Sequence, residues 1–114
     1  MPESAAASAS PSARYDHRSL DVACELDTAG METRGAEWHE LRAAWAGRAE
    51  AIPGGTRLWL AAGAWDAADD LARREAACCG FLDFEVVADG GRVRLDITSP
   101  APEARAVITV LAGL

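Results

Sequence analysis

The sequence predicts one α+β domain in which helices cover one face of a four-stranded sheet and the elements follow the order β-α-β-α-β-β-α. Several short runs alternate apolar and polar side chains, as half-buried strands do. Two longer segments repeat their apolar side chains at helical spacing, and a D-G-G-R turn at residues 89–92 indicates a β-hairpin. At 114 residues, the chain is long enough for one hydrophobic core and too short for two.

The N-terminal part is predicted to contain a tail, a strand and a helix. Residues 1–18 are mostly Ala, Ser and Pro with isolated charges, a composition that predicts a disordered tail ahead of a domain over residues 19–114. Leu20–Leu26 alternates apolar and polar residues and is predicted to be the first strand, with the Cys24 side chain in the core. A helix follows over Thr28–Ile52 and ends at a Pro-Gly-Gly sequence.

The second half of the chain is predicted to contain a strand, a helix, a hairpin and a final helix. Gly80 suits the left-handed position that ends many helices. A two-residue turn at residues 90–91 would pair Val86 with Leu95 and Phe84 with Ile97 on the core face. The predicted elements are a strand over Thr56–Ala61, a helix over Trp65–Cys79, hairpin strands over Phe81–Ala88 and Arg92–Thr98, and a helix introduced by Pro100 and Pro102 that continues to Leu114.

The charge balance excludes some classes of partner. Eighteen acidic residues outnumber eleven arginines, lysine is absent, and the formal net charge is -7. Because binding to a phosphate backbone requires clustered cations, no nucleic-acid partner is predicted. No stretch approaches the roughly 20 consecutive apolar residues that cross a bilayer, and residues 1–18 lack the regions of a secretory signal. A cytoplasmic protein with no membrane partner is therefore expected.

The most informative feature is the adjacent cysteine pair at the end of the predicted second helix. The chain has three cysteines, an odd number, and in a reducing cytosol we expect all of them to be thiols. In helical projection, Glu75, Cys78 and Cys79 share one apolar arc. A carboxylate directed at a core requires a partner. Arg34 is the natural candidate, because it is the single charge in the apolar stripe of the first helix.

Thiolates are soft ligands, so the pair predicts binding of a soft metal ion or metalloid, namely Hg(II), Cu(I), Zn(II) or trivalent arsenic. The predicted ligands are Cys78 and Cys79, with Cys24 and Glu75 as further contributors. Neighbouring side chains on a regular helix diverge by about 100°, so shared chelation requires a distortion near Gly80. If the first two strands are parallel, Cys24 would lie more than about 10 Å from the pair.

Two other functions remain open from the sequence. Cysteine is among the most buried residue types and often acts as a small apolar side chain, which would make this chain a non-catalytic interaction or structural domain. The third hypothesis is an enzyme that acts on a small thiol-reactive compound, and it requires a pocket opening onto Cys79 or Glu75. The common catalytic motifs are absent, so we predict no catalytic residue, and no cofactor other than a soft metal ion. The sequence does not indicate an oligomeric state.

The segment E-A-A-C-C-G-F-L-D-F at residues 75–84, with the hairpin after it, resembles a group of small actinobacterial-type proteins that carry an E-x-x-C-C-x-F-x-x-F signature. It is also similar to segments found behind regulators of the MerR type, which respond to metals and other signals. The resemblance extends upstream to Cys24, to the helix around Arg34 and to I-P-G-G-T-R-L at residues 52–58. It implies an association with metal or stress responses. No DNA-binding part of such a regulator is present, so the resemblance implies no transcriptional role.

Overall fold

The computed structural model describes residues 11–22 and 28–113, which form an α+β fold with a five-stranded antiparallel sheet and three α-helices. The strands are β1 (Ser12–Tyr15), β2 (Arg48–Ile52), β3 (Gly55–Ala61), β4 (Asp83–Asp89) and β5 (Arg92–Thr98), and the helices are α1 (Thr28–Ala44), α2 (Trp65–Cys78) and α3 (Arg105–Ala112). The order across the sheet is β1-β4-β5-β3-β2. The predicted α+β class is confirmed. The predicted four-stranded sheet is corrected to five strands, and the predicted order β-α-β-α-β-β-α is corrected to β-α-β-β-α-β-β-α.

The core lies between the helices and one face of the sheet. Alternate side chains of the three central strands project into it, and each is at most 1% exposed: Leu58, Leu60, Phe84, Val86, Val93, Leu95 and Ile97. The helices contribute Trp38, Leu71 and Ile108 to the same cluster. The opposite face of the sheet carries charged side chains, among them Arg57 and Asp96. The sheet is therefore apolar on one face and charged on the other, as its period-2 patterns predict.

The predicted C-terminal hairpin is confirmed in its register. Val86 pairs with Leu95 and Phe84 pairs with Ile97 across β4 and β5. The two glycines at residues 90–91 both have positive φ, 59° and 79°, which is the backbone that the favoured two-residue hairpin turn requires.

The edge strand β1 lies within the segment that the composition predicts to be disordered. Ser12–Tyr15 pairs antiparallel with β4, and the Tyr15 hydroxyl donates a hydrogen bond to Asp69 of α2 at 2.6 Å. The prediction of a disordered tail is thus wrong for these residues, while residues 1–10 lie outside the described residues. Backbone pairing with an available sheet edge compensates for the scarcity of apolar side chains, and composition does not report that pairing.

The strand predicted over Leu20–Leu26 is not found in the part of it that the structure describes. Residues 20–22 are not in a strand, and Leu20, which the alternation directs inward, is 64% exposed. Residues 23–27, including Cys24, lie outside the described residues. The predicted core position of Cys24 therefore stays a prediction.

The helix predicted over Thr28–Ile52 is divided into α1 and β2, because α1 ends at Ala44. Ala46 adopts a left-handed φ of 53°, and the Gly47 N–H donates to the Arg42 carbonyl at 2.7 Å, the hydrogen bond of a Schellman helix end. A Cβ on Gly47 would lie 2.9 Å from the Arg42 Cα, so this position requires glycine. The predicted helix continues past this end to the Pro-Gly-Gly sequence, because alanine at a left-handed position is not a usual signal for a helix end.

The C-terminal helix α3 follows a 3-10 turn at Pro102–Ala104 and ends at Gly113, whose φ is 72°. Leu111 is buried and Val107 packs against the core, while Leu114 lies outside the described residues. Within the described ranges, no helix is long and apolar enough to cross a membrane.

Candidate thiol site

The centre of the site is a buried carboxylate, Glu75, on the inner face of α2. Its side chain is 3% exposed. The indole of Trp38, on α1, donates from Nε1 to Glu75 Oε1 at 2.7 Å. Trp38 is itself fully buried and stacks on Phe84 with ring centroids 6.1 Å apart. Because a core carboxylate is unfavourable without partners, this hydrogen bond allows α1 and α2 to pack together around it.

Arg34 lies one helical turn before Trp38 and is the ionic partner of Glu75. Its Nη1 is 3.5 Å from Glu75 Oε1, its Nε is 3.4 Å from Glu37 Oε1, and its side chain is 13% exposed. Burial acts to lower the pKa of Arg34, but the charge of Glu75 and the hydrogen bond to Cys78 outweigh burial and raise that pKa. The expected pairing of Arg34 with Glu75 is thus confirmed.

Cys79 follows the end of α2 and is not in the helical conformation. The helix ends at Cys78, and Cys79 has φ -116° and ψ 80°, outside the α region. Its side chain is buried, and its Sγ donates a hydrogen bond to Glu75 Oε2 at 3.2 Å. Gly80 does not take the left-handed conformation predicted for it. The Cys79 N–H still donates to the Glu75 carbonyl at 2.7 Å, so the chain leaves the helix at Cys79 itself.

Cys78 is partly exposed and lies beside Arg34, whose Nη2 donates to the Cys78 Sγ at 3.6 Å. Neither Cys78 nor Cys79 is in a disulfide. Reactive cysteines in proteins commonly lie next to a cationic side chain. The two thiols thus contact the two members of one ion pair, Cys78 at the guanidinium and Cys79 at the carboxylate.

An N-terminal arm, residues 16–19, closes the end of α2 that carries the cysteines. The Arg18 guanidinium donates from Nη2 to two carbonyl oxygens of the last helical turn at 2.7 and 3.1 Å. The backbone N–H groups of Arg18 and Ser19 donate to the Gly80 carbonyl at 2.6 and 3.0 Å. A cation at this position satisfies carbonyls that the helix leaves unpaired and favours the negative end of its dipole.

A cleft of about 370 Å³ opens between α1, α3 and the end of α2. Arg34, Glu75 and Cys79 line it, together with a mainly apolar wall that includes Phe81, Val107 and Leu111. Among the described residues, four large apolar side chains are exposed, and three of them line this cleft: Val22, Met31 and Val110. Small-molecule sites typically have such an apolar wall with a few polar groups.

The structure brings together three of the four predicted site residues, Glu75, Cys78 and Cys79. Within the described ranges, no three His, Cys, Asp or Glu side chains form a group that could hold a metal ion. The Glu75 oxygens accept hydrogen bonds from Trp38 and Cys79. The fourth predicted residue, Cys24, lies outside the described residues.

Trp38 is a site residue that the sequence analysis did not identify. It follows Arg34 by four residues on the same helix face, and a buried indole N–H needs an acceptor. That requirement is the signal that could have linked Trp38 to the buried glutamate.

Comparison of the chain with protein-family models, with curated proteins and with solved structures finds no match. The resemblance carried by residues 75–84 therefore stays a prediction, and the proposed function below depends on the geometry around the cysteines.

Proposed function

We propose that this chain binds a soft, thiol-seeking metal ion or metalloid through Cys78 and Cys79. The observation that supports the proposal is that the two thiols at the end of α2 contact the two members of one ion pair, Cys78 at Arg34 and Cys79 at Glu75. Thiolate ligands favour Hg(II), Cu(I), Zn(II) and trivalent arsenic over hard cations such as Mg²⁺ or Ca²⁺.

The neighbours of the two thiols suit ligand exchange. Cys79 donates its S–H to Glu75, so this carboxylate is placed to accept the proton that leaves when the sulfur binds a metal. Arg34, next to Cys78, offsets the negative charge that two thiolates would add. In this proposal Glu75 acts as a proton acceptor and positioning group, and Cys24 is a further contributor.

A second candidate function is favoured by the burial of Cys79, which is 3% exposed and belongs to the hydrophobic core. In that case the chain is an interaction or structural domain in which Cys79 fills the core. This alternative expects slow alkylation of Cys79 in the native state. It also expects a Cys79→Val variant of nearly wild-type stability.

Mercury titration tests the proposal. Hg(II) is added to the reduced protein in the presence of excess small monothiol. The monothiol competes for Hg(II) with isolated protein thiols, so that only a multi-thiol site retains the metal. Binding is followed by sulfur-to-mercury charge-transfer absorption. We expect Cys78→Ser and Cys79→Ser each to weaken binding by about a hundredfold or more, equivalent to about 3 kcal/mol, and the double variant to lose it. Cys24→Ser tests the further contribution of the third thiol, and we expect a smaller loss of affinity than for either of the other two. Unchanged binding in the Cys78→Ser, Cys79→Ser double variant would refute the proposal.

A further inference from the structure

The cleft beside the thiols adds a selectivity that two cysteines alone do not have. Cys79 lines the cleft, so a ligand attached to its sulfur projects into or across it. The exposed fractions of Met31 and Val110 on the wall are 53% and 68%. Exposed apolar side chains gathered around one concavity mark a surface that binds an apolar group.

The number of thiols restricts the ligand. Inorganic trivalent arsenic has three exchangeable positions, and a mono-organic mercury(II) ion has one. A trivalent arsenical with a single organic substituent has two, which equals the number of thiols that the described residues place at the ion pair, Cys78 and Cys79. Its third bond carries a carbon group that remains attached. From this match we infer that the site takes a mono-organic trivalent arsenical, with its alkyl or aryl group in the cleft. The inference rests on the proposed function.

The exchange is balanced without an oxidant or reductant. An arsonous acid, R–As(OH)₂, reacts with the two thiols, two As–S bonds form and two As–O bonds break. The two thiol protons leave with the two hydroxides as water, and arsenic stays trivalent. Glu75 Oε2 accepts the Cys79 S–H hydrogen bond and is placed to pass that proton to a departing hydroxide. Arg34 Nη1 is buried with no hydrogen-bond partner among the described residues, so it supplies a donor for an arsenic-bound oxygen.

The cleft has room for the organic group. A cavity of about 150 Å³ holds benzene, and this cleft measures about 370 Å³. Gly35 lines the cleft on α1, and a Cβ added to it would meet no described heavy atom within 4 Å. A larger side chain at residue 35 is therefore expected to fill the cleft while preserving the fold, and replacing glycine within a helix favours the helix.

Phenylarsine oxide and arsenite test the inference on the full-length reduced protein. The affinity of each is measured by competition with dithiothreitol. The bound phenyl species is identified by intact mass, because the protein gains one C6H5As unit and loses the two thiol hydrogens, which leave with the oxygen of phenylarsine oxide as one water. The quantity compared is the ratio of the affinity for phenylarsine oxide to the affinity for arsenite. The ratio for the protein is compared with the same ratio for dithiothreitol. We expect the protein to exceed the dithiothreitol ratio by about tenfold or more, from burial of the ring.

Gly35→Leu is expected to return the ratio to that of dithiothreitol while Hg(II) still binds. Ala36→Leu is the matched control, because Ala36 is exposed on the same helix and does not line the cleft; we expect it to keep the wild-type ratio. Thermal unfolding establishes that both variants fold. Two results overturn the inference: a wild-type ratio of phenylarsine oxide affinity to arsenite affinity equal to that of dithiothreitol, or a wild-type ratio that Gly35→Leu does not change. If Hg(II) still binds in either case, the proposed function remains intact. Failure of Hg(II) and both arsenicals to bind through the cysteines overturns both.

Discussion

Two arginine–carboxylate pairs lie on opposite sides of the sheet and differ in how their atoms are used. On the solvent face, Arg57 contacts Asp96 in a two-pronged arrangement, with Nε–Oδ1 at 2.8 Å and Nη2–Oδ2 at 3.1 Å. On the helix-covered face, Arg34 approaches Glu75 through one pair of atoms at 3.5 Å. The first arrangement is the strong, two-pronged geometry of a structural contact between neighbouring strands.

The looser pair divides its hydrogen bonds among several chemical groups. Glu75 accepts from an indole and a thiol, and Arg34 donates to the second thiol. Both residues also line the cleft. The ion pair with the less ideal geometry, Arg34–Glu75, is therefore the one that contacts the thiols. The pair with the better geometry, Arg57–Asp96, is satisfied by neighbouring charged side chains.

The largest expected effect comes from removing the two carboxylates in turn. Glu75→Ala leaves the buried Trp38 N–H without its acceptor and leaves Arg34 with Glu37 in place of two carboxylates, and we expect a loss of about 3–5 kcal/mol in the free energy of unfolding. Asp96→Ala leaves Arg57 in contact with solvent, and the expected loss is about 1 kcal/mol. Urea unfolding of both variants measures the difference. Equal losses would remove the distinction between the two pairs.

A smaller effect is expected from the two tryptophans that donate to glutamates. Trp38→Phe retains an aromatic ring against Phe84 but removes the donor to Glu75, so we expect about 1–3 kcal/mol of destabilisation. Trp59→Phe is the matched control, because the Trp59 Nε1 donates to Glu50 at 3.3 Å on an exposed part of the sheet. Its expected cost is within about 0.5 kcal/mol. A Trp59→Phe variant as unstable as Trp38→Phe contradicts the assignment of the buried hydrogen bond.

The smallest effect concerns acid. The hydrogen bond from Arg74 lowers the pKa of Glu37, against the opposing effect of burial and with support from the charges of Arg74 and Arg34. Because the folded-state pKa lies below the unfolded value of about 4.3, Glu37 contributes stability that is fully present above that value. This stability is lost as the pH falls through the lowered pKa.

Glu37→Gln should therefore remove a small part of the acid dependence of unfolding, measured by urea unfolding between about pH 2 and pH 6. The variant should differ most from the wild type above about pH 5 and least at the acidic end. A constant difference across this range would show that the ionisation of Glu37 does not contribute.

The sequence patterns were sufficient where local rules and tertiary contacts agree. The hairpin register followed from the two glycines of the turn and the alternation on either side. The pairing of Arg34 with Glu75 followed from the rule that a charge in an apolar stripe needs a partner. These inferences use only side-chain periodicity and the free energy of burying a charge.

The remaining features depend on contacts that are distant in sequence. β1 is held by the backbone of β4, about seventy residues away, and the end of α1 depends on an alanine in a left-handed conformation. The hydrogen bond from Trp38 to Glu75 required the packing of two helices. Side-chain patterns do not encode such pairings, because each partner has an ordinary local sequence.

The arm at residues 16–19 has a consequence for the energetics of the thiol pair. It continues directly from β1 and is hydrogen-bonded to the last turn of α2 and to Gly80, so the end of the helix and the edge of the sheet share one set of hydrogen bonds. Coupling between two binding events is reciprocal. If docking of the arm changes the free energy of ligand binding at the end of α2, ligand binding changes the free energy of arm docking by the same amount. Occupancy of the cysteines and docking of the N-terminal strand are therefore linked equilibria.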